Sequence, residues 1–194
     1  MRITGGQARG ISLRIPKGDL VRPATDAMRQ AVFSSIASRI EGSWVLDLFA
    51  GTGAYGLEAL SRGAAGAVWV EKNAKAASCI RQNIAAVCKS LARDERDLTV
   101  LNLDASAVPD GGGQVPDLVF IDPPYDLIEE LAAGLFSRLT ALLAPKPDPV
   151  IIFEMPGELT LQPLGWTCVK RLGKGVRQPT VCFFKVDRAP PSPA

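Results

Sequence analysis

Residues 45–56 read Val45-Leu46-Asp47-Leu48-Phe49-Ala50-Gly51-Thr52-Gly53-Ala54-Tyr55-Gly56. A short apolar run enters a glycine-rich turn, and a helix-forming stretch follows. Gly51, Gly53 and Gly56 fit the GxGxxG spacing of a nucleotide-binding strand–turn–helix. Glu71 stands twenty residues beyond Gly51, at the end of the next expected strand. Glycines at such a turn let the backbone approach a ligand, and the helix start aims its N–H groups at it. A carboxylate at the place of Glu71 can accept hydrogen bonds from both hydroxyls of a ribose. Taken alone the spacing is weak evidence, because the same glycines can simply tighten a strand-to-helix turn.

Outward from this stretch, apolar runs alternate with helical periodicity. Strands are expected at 44–49, 67–71, 98–101, 118–121 and 150–154, with helices at 54–62, 74–91 and 127–143. A further helix, capped by Ala24-Thr25-Asp26, is expected to run to about residue 39. Strands at 166–172 and 180–186 have no room for a helix between them, so they pair antiparallel. The order predicts an α/β, Rossmann-like sheet of seven strands, mostly parallel, with an antiparallel C-terminal pair and helices on both faces. We expect a basic β-hairpin extension at 1–23, one domain at 24–188 and a disordered tail at 189–194. Ligands of such sheets bind beyond the carboxyl ends of the strands, so functional residues should directly follow strands.

The chain has 194 residues, enough for one domain with an ordinary core, and no histidine. That absence excludes Ser-His-Asp and Cys-His hydrolases, His-ligated zinc and histidine bases. The net charge of +2 hides a division: residues 1–30 carry +4, 31–169 carry −7 and 170–194 carry +5. Two basic ends around an acidic body suggest a polyanionic partner, although solvated edges would look the same. Cys79, Cys88, Cys168 and Cys182 lack CxxC spacing and read as buried thiols of a cytoplasmic protein, with no metal site expected. The start of the chain lacks a signal-peptide core, and no apolar run is long enough for a membrane span.

Asp47 turns the reading away from a dinucleotide. A carboxylate so close to the glycine turn would repel a pyrophosphate, but it suits a ligand with a sulfonium and an ammonium group. S-adenosyl-L-methionine (AdoMet) is such a ligand. With Glu71 in place, the stretch matches motif I of class I AdoMet-dependent methyltransferases. Asp104, after the third strand, falls where that family contacts the adenine amino group, although a turn-capping aspartate is the commoner role. We count Phe49, Ala105 and Thr25 with Asp47, Gly51, Gly53, Glu71 and Asp104 as cofactor-binding candidates.

The fourth strand ends in Asp122-Pro123-Pro124-Tyr125, the most specific signal in the chain. Two prolines fix two φ angles and remove two donors, leaving carbonyls at the turn to accept hydrogen bonds. Asp122 adds a carboxylate, and Tyr125 an aromatic face on which a base can stack. The lone pair of an exocyclic nucleobase NH2 is delocalised into the ring. Acceptors that bind its hydrogens draw the nitrogen toward tetrahedral geometry and free that lone pair. Asp122 can also take the departing proton. Asp122, Pro123, Pro124 and Tyr125 are therefore the catalytic candidates.

The combination resembles the bacterial 16S rRNA (guanine-N2)-methyltransferase family, the RsmD type, over nearly the whole chain. The blocks that carry it are residues 2–10, Arg22-Pro23-Ala24-Thr25-Asp26, the helix-forming 28–33, motif I, residues 56–63 and Asp122-Pro123-Pro124-Tyr125. The N-terminal block discriminates, since motif I is shared by many unrelated methyltransferases. The resemblance implies methyl transfer from AdoMet to N2 of one guanine in small-subunit rRNA, free or within the assembling 30S subunit, by a monomer. Arg2, Arg9, Arg22, Arg29, Lys174 and Arg177 are the candidate RNA contacts. The chain departs from the family where Ala27 and Gln30 replace a basic and an acidic residue. Amino-methyltransfer to DNA adenine N6 or to a protein glutamine is the nearest alternative, although those families usually have Asn where this chain has Asp122. An NAD-dependent oxidoreductase and a non-catalytic RNA-binding protein are the alternatives from other classes.

Overall fold

The computed structural model describes residues 1–16, 25–107, 113–173, 175 and 178–187. The expected tail, together with Arg22, Lys174 and Arg177, lies outside the described residues. In chain order the elements are α1 (Asp26–Ser35), β1 (Trp44–Leu48), α2 (Ala54–Ser61), β2 (Gly66–Val70), α3 (Ala74–Leu91), β3 (Leu98–Leu101), β4 (Leu118–Ile121), α4 (Ile128–Leu143), β5 (Val150–Pro156), β6 (Trp166–Leu172) and β7 (Pro179–Val186). They form one seven-stranded sheet in the order β3-β2-β1-β4-β5-β7-β6. The first five strands pair parallel, and β7 runs antiparallel to both β5 and β6. The expected class is therefore observed. The expected first helix is shorter: α1 stops at Ser35, and a 3-10 turn takes over at Ala37–Arg39.

Strand alternation divides the core into two layers. Val45, Trp69, Phe120 and Ile152 face α1, α2 and α3, where Phe33, Leu57, Ile80 and Ile84 meet them. Leu48, Val119, Ile121 and Phe153 face α4, where Leu135, Phe136 and Leu139 meet them. The strands are apolar on both faces because both are covered. Cys79, Cys88 and Cys182 are buried as expected. Cys168 is exposed, because β6 is an edge strand with helix cover only at its Trp166 end. No helix among the described residues is long and apolar enough to cross a membrane.

The first fourteen residues reverse direction, but they form one isolated bridge, Arg2 to Ser12, and no full hairpin strands. Side chains of α2 and α3 hold the segment instead. The buried carboxylate of Glu58 accepts the amide of Thr4 at 2.7 Å, its hydroxyl at 2.8 Å and Arg62 Nε at 2.8 Å. Ser61 Oγ accepts the amide of Ala8 and donates to the carbonyl of Gly5. Asn83 accepts the amide of Arg14 and donates to the carbonyls of Arg14 and Thr52. Ile3, Ala8 and Leu13 join the core through these clamps.

Removing the Glu58 carboxylate strands two donors of Thr4 and one of Arg62. Glu58→Ala should destabilise the fold by about 3 kcal/mol, and Glu58→Gln by less. Denaturant unfolding of both variants against the parent chain measures this.

Candidate active site

The carboxyl ends of the parallel strands gather the candidate residues, as the topology requires. Beyond β1 the chain turns sharply. Phe49 adopts φ 58°, a left-handed conformation that bulky residues avoid, which marks local strain at the site. Gly51 (φ 54°) faces open space, since a Cβ there would meet only the Phe49 carbonyl at 4.0 Å. Gly53 also holds a left-handed φ, of 78°, and both Gly53 and Gly56 are closely packed. A Cβ on either would press on the buried indole of Trp69, at 3.1 Å from Gly53 and 2.4 Å from Gly56. The glycine pattern is thus divided, with Gly51 serving the open side and the other two serving helix–sheet packing.

Asp47 is buried and its Oδ2 accepts the amide of Gly56 at 2.9 Å, fixing α2 against β1. Burial, and next the charge of Glu71, push its carboxyl up to about 8, although the Gly56 hydrogen bond pulls the other way. Glu71 spans the turn, accepting the Gly51 amide on one oxygen and the Asn73 amide on the other. Asp104 accepts the amide and hydroxyl of Ser106, and these bonds hold its carboxyl below the usual range. It caps the turn that buries Ala105 and also lines a cavity of about 370 Å³. Phe49 and Lys72 line the same cavity, with Leu127, Leu131 and Arg138 across from them. A volume of that size admits a purine.

Asp122 lies one residue past β4, and the register Ile121–Phe153 puts it beside Glu154. Alternation aims Asp47, Asp122 and Glu154 at the same face, the one α2 covers. Burial, then Glu154 and Asp47, drive the Asp122 carboxyl well above the usual carboxylate range. Tyr125 opens a 3-10 turn after Pro124 and is 42% exposed, a rim position for an aromatic ring. Its hydroxyl bonds to the Glu154 carboxylate. The same carboxylate accepts Tyr55 Oη at 3.2 Å. Glu154 and Tyr55 were not among the candidates read from the sequence. The available signal was a single acid closing the otherwise apolar run Val150-Ile151-Ile152-Phe153.

Other candidates lie elsewhere. Thr25 Oγ1 accepts the amide of Met28 and caps α1. Arg29, expected to meet RNA, is 1% exposed and needs correction: its Nη2 donates to the Arg2 carbonyl at 2.7 Å and to Asp26 at 2.8 Å. An arginine so enclosed serves the fold, because it docks the N-terminal segment on α1. Arg2 and Arg9 are exposed. Among the described residues, no three His, Cys, Asp or Glu side chains converge as metal ligands would.

A family model described as conserved hypothetical protein 95 matches residues 1–184. The chain belongs to that family. Ribosomal RNA small subunit methyltransferase D of Escherichia coli is 39% identical over 132 residues, which cover 67% of this chain and 64% of that relative. This RsmD-type chain thus matches less than two thirds of that relative's length. The enzyme of the same name from Haemophilus influenzae is 29% identical, with 91% of this chain and 90% of the relative covered. Among solved structures, the Escherichia coli protein yhhF superposes with a TM-score of 0.74 at 31% identity, covering 97% of this chain and 99% of that one.

The open Gly51 turn, the purine-sized cavity and the crowded carboxyls fit AdoMet, whose positive charges such a site favours. In the ligand-free protein, a carboxyl raised on folding holds its proton longer than in the unfolded chain. Stability therefore falls as pH rises from about 4 toward about 8. Asp47→Asn keeps an acceptor for Gly56 and removes the titration. Its thermal midpoint should gain on the parent's between pH 5 and pH 8. Melting curves of the two ligand-free proteins that stay parallel across that range would contradict this account of Asp47.

Proposed function

We propose that this chain transfers a methyl group from AdoMet to the exocyclic N2 of a guanine in 16S rRNA. The single observation that carries the reading is the carboxyl of Asp122 beside the Pro123-Pro124 turn, with the ring of Tyr125 at the rim and the glycine turn on the adjacent strand. The names of the relatives support an rRNA substrate, and with it a cytoplasmic protein acting on the assembling or assembled 30S subunit.

Bound AdoMet supplies a methyl group already activated by its sulfonium. The chain's own groups then have three tasks. Gly51, Glu71 and the Phe49–Asp104 cavity would hold the cofactor, with Glu71, which fixes the turn, available to the ribose and Asp104 to the adenine. Asp122 and the turn carbonyls accept the hydrogens of the target amino group, draw its nitrogen toward tetrahedral geometry and take up one proton. Tyr125 stacks on the flipped base, so much of the acceleration comes from placement of two bound reactants. Arg2 and Arg9, with Arg22, Lys174 and Arg177 outside the described residues, are proposed to meet RNA phosphates. The protein is proposed to act as a monomer.

The test is incubation with labelled AdoMet and small subunits lacking their guanine methylations, followed by nucleoside mass analysis. N2-methylguanosine is expected. Asp122→Ala should lower turnover by at least about 100-fold while calorimetry still detects AdoMet binding. Methylation of adenine in DNA with none in rRNA would reassign the substrate, and undiminished turnover in Asp122→Ala would remove Asp122 from the mechanism.

A further inference from the structure

Glu154 stands outside the motifs, yet it joins the two halves of the site. It is 4% exposed, and its carboxylate takes hydrogen bonds from two tyrosines on separate elements. Tyr55 belongs to α2, the helix that leaves the glycine turn. Its ring stacks on Phe120 of β4 with centroids 5.0 Å apart, and Phe33 lies against both. Tyr125 follows the proline turn. One buried acid thus fastens the exposed rim aromatic to the helix that bears the cofactor turn. The β4–β5 register also makes that acid the lateral neighbour of Asp122.

We propose, resting on the methyltransferase reading above, that Glu154 is a positioning residue. It holds the Tyr125 ring at the slot through the phenolic hydroxyl, and its charge sets the ionisation of Asp122. The hydroxyl end of Tyr125 is the part that Glu154 holds, so loss of that acceptor loosens a ring that must lie flat against a base. The second role follows from position. Asp122 faces Glu154 from β5, Asp47 from β1 and Tyr55 from α2, and Arg29 of α1 acts on the same tyrosine. Burial is the first cause of the raised Asp122 carboxyl, and Glu154 is the largest charge acting in the same direction. Removing that charge lets Asp122 ionise at lower pH.

Three variants separate the roles, with kcat and kcat/KM for RNA followed against pH and AdoMet binding followed by calorimetry. Glu154→Gln removes the charge but keeps an oxygen that a tyrosine hydroxyl can reach. The acid limb of its rate profile should move to lower pH. Tyr125→Phe keeps the ring, removes the tether and, being exposed, leaves the core intact. Its kcat should fall roughly tenfold with the acid limb unmoved. Glu154→Ala should show both changes. An unmoved limb in Glu154→Gln, or parental kcat in Tyr125→Phe, overturns the inference. Either result would come from a series whose parent chain forms N2-methylguanosine, so failure of the methyltransferase reading itself stays distinguishable.

Discussion

Three carboxyl groups stand together at the carboxyl ends of β1, β4 and β5, on the face that α2 covers. Desolvation of Asp47, Asp122 and Glu154 is the constraint around which the site is built. All three have raised pKa values, and burial is the first cause for each. Among the described residues, the ion pairs lie elsewhere, at Asp26, Glu58, Asp94, Asp117 and Asp148. Nearby hydrogen bonds from Gly56, Tyr55 and Tyr125 offset only part of the cost. A ligand bearing positive charge relieves the remainder, because it favours the ionised form of each acid in turn. In the proposed mechanism, cofactor affinity and the ionisation of Asp122 are therefore linked: positive charge bound here favours the ionised carboxylate that accepts the amino hydrogens.

That arrangement depends on α2 staying fixed, and the fold secures it from both ends. At the start of α2, Asp47 holds the Gly56 amide while Trp69 fills the space that Cβ atoms on Gly53 and Gly56 would occupy. At its far end, Glu58 and Ser61 bind the N-terminal segment. Asn83 of α3 ties Arg14 to the Thr52 carbonyl, so the same segment braces the glycine turn directly. The first fourteen residues thus act as a strap across the helix that carries the turn. Charge led us to expect RNA contacts there. For Arg29 the structure gives an internal role instead, and Arg2 and Arg9 are left exposed on the strap.

Much of this was legible in the sequence, for identifiable reasons. Parallel strands covered on both faces leave continuous apolar runs, so β1, β2, β4 and β5 could be read, while their lateral order in the sheet came from the structure. Motifs that directly follow strands could be read too, because the sheet geometry forces them to one edge. Contacts across long separations left no local trace. Thr4 and Glu58 are 54 residues apart, and nothing near either position announces the other. Arg29 looked like a surface charge because helical periodicity does not reveal the strap that covers it. Glu154 was read only as the last residue of a strand. Its meaning comes from lateral register with Asp122 and from two tyrosines 29 and 99 residues away in the chain. Gly53 and Gly56 fitted a nucleotide pattern, but Trp69 on the next strand excludes a side chain at Gly56, and a left-handed φ of 78° disfavours one at Gly53, with Trp69 and Ile80 close by.

The missing histidine now has a physical counterpart. A site that must accept a proton near neutral pH usually takes an imidazole, whose ordinary pKa lies there. This chain has none. Its carboxyls are shifted upward instead, by burial and mutual repulsion, and Asp47 is raised to about 8. A carboxyl so raised differs from an imidazole in one respect that suits methyl transfer from a sulfonium. Its ionised form is negative, so it attracts the arriving cation and is the form that the cation favours, whereas the neutral base form of an imidazole would gain no such attraction. In the proposed mechanism, buried carboxyls thus combine cofactor recognition and proton acceptance in one set of groups, and their clustering, costly without a counter-charge, makes them responsive to a cationic ligand.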